Sequence, residues 1–124
     1  MHCYTDPSPL HLRDLLALDC YIGITGWIAD PRRGVDLADL VARREIPQGR
    51  LMIETDAPFL IPLNRPKVNM AKEGSAKGKR GVRETNEPAL LGWVAKKVAE
   101  CLEMPVEELA KETTAAAKEF FRIE

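Results

Sequence analysis

His2, Glu54 and Asp56 are the residues whose types suit metal-assisted chemistry. His2 and Asp56 each sit at what reads as the end of a strand, in "MHCYTD" and in "RLMIETDAPFLIP". In parallel α/β architectures, ligands gather at the carboxyl ends of strands. A neutral imidazole and a carboxylate suit Zn²⁺ or Mn²⁺, whereas Mg²⁺ prefers a shell richer in oxygen. Such an ion activates water and polarises a phosphoryl oxygen, and a carboxylate beside it can take the proton. Taken singly, each residue has a plainer reading. A histidine near a terminus is ordinarily just exposed, and an aspartate before Ala-Pro is ordinarily a helix cap. Glu54 shares the direction of Asp56 by the two-residue strand period. It is either a second acid or the ion-pair partner of an arginine. His11 lies in a predicted helix with no acid pattern around it and carries no functional expectation.

The elements that must position these residues follow from hydrophobic spacing. Leu12, Leu15 and Leu16 predict a helix over 8–19, opened by Ser8-Pro9. "CYIGIT" and "RLMIET" are short apolar runs that predict strands over 20–25 and 50–55. They are continuously apolar, as strands buried on both faces are. "GWIADPRRG" between them reads as a loop. Leu37, Leu40 and Val41 predict a helix over 35–45. Leu91, Val94, Val98 and Leu102 mark another over 86–103. A last helix over 105–124 has Val106, Leu109, Ala110, Phe120 and Phe121 as its apolar positions. The rhythm is α/β. Two strands do not make an independent parallel sheet, because both would be open edges. The chain therefore reads as part of an α/β fold, with self-association through those edges as one expectation.

Composition bounds the rest. With 124 residues, 45% hydrophobic and 30% charged, the chain suits one modest globular domain. A net charge of −1 gives no whole-chain attraction to nucleic acid or anionic membrane, so any such attraction is local. Between about 63 and 85 the texture changes to Lys and Arg interleaved with Gly and Ser. This inserted loop is expected to be either solvated or a basic arm on phosphates, with Lys77, Lys79 and Arg80 as the contacts. Binding of that kind would weaken steeply with salt. Three cysteines, Cys3, Cys20 and Cys101, without a CxxC pair, argue against a disulfide framework or a structural zinc. With no signal peptide and no apolar run of membrane-spanning length, the expectation is an intracellular protein with no membrane partner.

The ordered set "HCYTD", "YIGITGW", "IETDAP", "RETNEP" and a helix with "EELAKETTAAAKEFF" resembles the C-terminal half of the TatD family of metal-dependent deoxyribonucleases. The resemblance covers nearly the whole chain apart from the basic loop. It implies part of a TIM-type (β/α) barrel, and 3'-5' exonuclease-like hydrolysis of DNA, with RNA as the other substrate. By this resemblance His2 is a metal ligand, and Asp56 is both ligand and proton acceptor. Glu54 and Arg83 would orient or balance charge beside the site. Asn86 and Glu87, with Pro88, would begin the helix that closes the barrel. The cofactor would be Mg²⁺, Mn²⁺ or Zn²⁺. Asp6 stands where the family has glycine, and Ala116 where it has asparagine. The family's HxH pair, a glutamate and a further histidine have no counterpart in these residues. They are expected from an upstream segment or a second polypeptide. The other expectation is a non-catalytic remnant that contacts nucleic acid.

Overall fold

The structure is a computed structural model and describes residues 1–66 and 85–124. Helix α1 (Pro9–Ala17) starts where the Ser8 hydroxyl accepts the His11 N–H. This is the ordinary way to satisfy a first-turn donor. Strand β1 (Ile22–Ile24) follows. The stretch read as a loop begins instead with a 3₁₀ turn, Gly26–Ala29, whose Trp27 N–H is capped by the Thr25 hydroxyl. Helix α2 (Val35–Ala42) leads through a short 3₁₀ turn into strand β2 (Leu51–Ile53). Helices α3 (Leu91–Leu102) and α4 (Val106–Phe121) end the chain.

The strands pair in parallel with Gly23 opposite Met52. The segment Met1–Tyr4, which bends at Cys3 (φ 50°), runs beside β1 on its other side. The Gly23 N–H donates to the Met1 carbonyl, and the Tyr4 N–H to the Gly23 carbonyl. Helices α3 and α4 pack on β2, and α2 packs on α3. The core between them holds Leu12, Ile22, Ile24, Leu37, Leu40, Val41, Val94, Val98 and Leu109. The expected stripe of α2 is thus buried, as is that of α3 except Leu91, which is only partly covered.

Two expectations need correction. Helix α4 buries Leu109, Thr113 and Ala116, whereas Val106, Phe120 and Phe121 are exposed. Thr113 can sit inside because its hydroxyl donates to the Leu109 carbonyl of the preceding turn. Strand β1 is buried throughout, but on β2 only Leu51 is. Met52 and Ile53 help line a groove of about 320 Å³ with Met1, Tyr21 and Phe121. Among the described residues no helix is long and apolar enough to cross a membrane. The cysteines are unpaired.

Burial predicts how truncations divide. Leu40→Ala, at a fully buried position, should cost about 2–5 kcal/mol in urea unfolding. Leu10→Ala, on the exposed face of α1, should stay within about 0.5 kcal/mol.

Candidate functional site

Glu54 extends the ladder one residue past β2, donating its N–H to the Ile24 carbonyl at 2.9 Å. The chain then turns at Asp56, whose φ of 52° lies in the left-handed region that aspartate tolerates better than most residues. No helix follows for Asp56 to cap before residue 67. Its carboxylate instead faces His2, brought alongside by the Met1–Tyr4 segment.

The three sequence-selected residues meet on one imidazole. His2 Nδ1 lies 2.5 Å from Glu54 Oε2, and His2 Nε2 lies 3.2 Å from Asp56 Oδ1. The other Glu54 oxygen accepts the Cys3 N–H. Glu54 is thus neither a second acid on the same point nor, among the described residues, an arginine's partner. It is a clamp on the histidine. Gly23 makes room for that clamp, since a Cβ there would lie 2.5 Å from Glu54 Oε1. The hydrogen bond that Glu54 accepts, then its charge, raises the His2 pKa above the ordinary 6.5, and Asp56 adds to the effect.

This arrangement suits a cation between His2 and Asp56. With Nδ1–H donated to Glu54, the neutral ring turns its Nε2 lone pair toward Asp56. Two ligands bound at about 2.0–2.1 Å to a tetrahedral ion sit roughly 3.3 Å apart, close to the 3.2 Å seen here. Among the described residues no group of three His, Cys, Asp or Glu is placed to hold an ion. Burial pushes the Cys3 thiol up, away from the reactive thiolate form.

Asn86 holds the loop that carries Asp56. It is 3% exposed. Its side-chain amide donates to the carbonyls of Thr55 and Phe59, and its own N–H to that of Pro58. The amide oxygen accepts the Glu87 N–H at 2.9 Å. Glu87 is exposed, and its carboxylate makes no cap bond. Gly26 brings the loop after β1 against the same strand-end loop, because a Cβ there would lie 2.0 Å from the Leu60 carbonyl oxygen. Lys77, Lys79, Arg80 and Arg83 lie outside the described residues.

Sequence reading missed two local devices. His11 does have an acid, since Asp6 Oδ2 lies 2.6 Å from its Nδ1. Asp6 also accepts the Ser8 N–H at 2.8 Å. The Asp6 side chain thereby organises the entry to α1. The signal was Asp-x-Ser before a helix, an Asx turn. The other is Asp30, buried in the stretch read as a plain loop. It accepts the N–H groups of Arg32 and Arg33 and the Arg33 guanidinium. These bonds, led by that from Arg32, hold its pKa at about 2.

The family model for TatD related DNase matches residues 1–122. A curated relative from Erwinia tasmaniensis, named 3'-5' ssDNA/RNA exonuclease TatD, is 37% identical over 124 residues, 99% of this chain and 42% of the relative. The chain thus spans less than half the length of that relative. A crystal structure of a TatD family hydrolase from Entamoeba histolytica matches with a TM-score of 0.70 at 20% identity, covering 95% of this chain and 40% of that one. An uncharacterised amidohydrolase from Saccharomyces cerevisiae matches equally well, at 0.70 and 21%, over 96% and 38%.

The clamp has a direct spectroscopic consequence. In ¹H NMR, His2 should titrate above 6.5. Glu54→Gln removes the charge that favours imidazolium, and Gly23→Ala displaces it, so each should lower the midpoint. A wild-type midpoint at or below 6.5, or one unmoved by Glu54→Gln, would contradict the geometry.

Proposed function

The chain belongs to the TatD related DNase family, and from that premise we propose that it carries part of the metal site of a phosphodiester hydrolase. The substrate we propose is single-stranded nucleic acid, trimmed from its end. Support for the substrate comes from the relatives named as 3'-5' ssDNA/RNA exonucleases. The observation that carries the reading is His2 Nε2 facing Asp56 Oδ1 at 3.2 Å, with Glu54 on the other ring nitrogen.

His2 and Asp56 would hold a divalent ion, which when bound supplies activation of water and polarisation of the phosphoryl oxygen. Glu54 fixes the His2 tautomer and the ring plane. Asp56 offers a carboxylate to take the proton of the attacking water. Asn86 keeps Asp56 in place through the backbone around it. We read Met1–Tyr4, β1 and β2 as neighbouring strands of a (β/α) barrel. The parallel register and the resemblance to the folds of a TatD family hydrolase and an amidohydrolase support this. A catalytic zinc takes three protein ligands. The further ligands would come from another segment or another copy, joined along the outer edge of β2.

One observation favours a second reading. The described residues bring together two candidate ligands and no third. A chain so equipped would bind nucleic acid without cutting it until completed.

Manganese-dependent release of nucleotides from fluorescein-labelled single-stranded DNA separates these. The hydrolase reading expects metal-dependent trimming that His2→Ala and Asp56→Asn each reduce at least about a hundredfold, the scale on which loss of catalytic groups acts. Full activity in either variant would overturn the site. Binding without trimming would favour the second reading.

A further inference from the structure

Phe59 is 68% exposed. Its N–H donates to the Asp56 carbonyl at 2.9 Å, so it sits in the same turn as the candidate acid. The other exposed phenylalanines are differently placed. Phe120 and Phe121 pack edge-on against each other, and Phe120 against Tyr21, beside the groove under β2. Phe59 has no ring contact of this kind among the described residues. Yet its backbone is firmly held, with its carbonyl accepting from buried Asn86 and the Pro58 carbonyl accepting from the Asn86 N–H. On its other side the Leu60 carbonyl closes against Gly26. The loop thus presents an aromatic ring to solvent from a fixed backbone, at the strand end that carries Asp56.

We propose that Phe59 is the stacking platform for a nucleobase of the single strand whose phosphate lies at Asp56. The inference rests on the nuclease reading above and names a residue that positions its substrate. Every base has a π-face, so an aromatic ring holds a strand without reading its sequence. A nuclease that trims successive nucleotides needs that tolerance. A pre-held backbone lowers the ordering cost of such a contact. Phe59 takes no part in the chemistry; it sets where the strand lies relative to Asp56.

Fluorescence anisotropy with a phosphorothioate oligothymidylate, and with an abasic phosphorothioate oligomer of equal length, tests this on the full chain in Mn²⁺. Phe59→Ala should weaken oligothymidylate binding about tenfold, the scale of one lost base–aromatic stack. Abasic binding should be unchanged, and Phe59→Tyr should restore oligothymidylate binding. Circular dichroism establishes that both variants fold. Unchanged oligothymidylate affinity in Phe59→Ala, or an equal loss for both oligomers, would overturn the stacking role while the nuclease reading stands. If wild-type chain binds neither oligomer, the nuclease reading falls and the stacking role with it.

Discussion

The Glu54 carboxylate is the constraint on which the candidate site depends. One oxygen holds the His2 ring and the other the Cys3 N–H. It therefore ties the Met1–Tyr4 segment to the end of β2 across the intervening β1. Gly23 leaves the space this crossing needs. Without Glu54, no other described residue on the Nδ1 side would select the ring orientation that turns Nε2 to Asp56. His2 is well exposed, at 65% of its side chain, so packing alone would not fix it. Charge-assisted hydrogen bonding is strong enough to do so at a surface where a simple ion pair contributes little.

A second layer of order lies around Asp56. Strand ends are places where backbone groups lose their ladder partners, and buried ones must be paired again. Asn86 does this for the carbonyls of Thr55, Pro58 and Phe59 at once. A single buried residue thus joins the segment before α3 to the loop after β2. Gly26 joins the loop after β1 to the same place. The mouth of the fold is fixed by polar contacts and a close backbone approach. The layers beneath it are fixed by packing of Leu40, Val94, Val98 and Leu109.

The amphipathic helices were legible because their spacing is a strong local signal. Leu37, Leu40 and Val41, and Val94, Val98 and Leu102, are all buried as their period requires. Helix α4 was misread at its ends. Its buried face ends at Ala116, and Phe120 and Phe121 beyond it remain outside. His2 and Asp56 could be singled out by type and strand-end position, and ordered motifs related them to a family. Their meeting on one ring could not be read, since it joins residues more than fifty positions apart. The same holds for Asn86, whose work is done on carbonyls that no side-chain pattern reveals. The Asp6–His11 pair was local enough to find, five residues apart, but it straddles a helix start where no fixed period applies.

Paramagnetic line broadening by Mn²⁺, above the His2 midpoint, tests the central claim most directly. His11 is a built-in comparison, an exposed histidine with one carboxylate on Nδ1 and, among the described residues, none on Nε2. Cooperation of His2 with Asp56 predicts that His2 ring signals broaden at Mn²⁺ levels that leave His11 sharp, and that Asp56→Asn abolishes the difference. Equal broadening of the two histidines in the wild-type chain would contradict a metal site at His2 and Asp56.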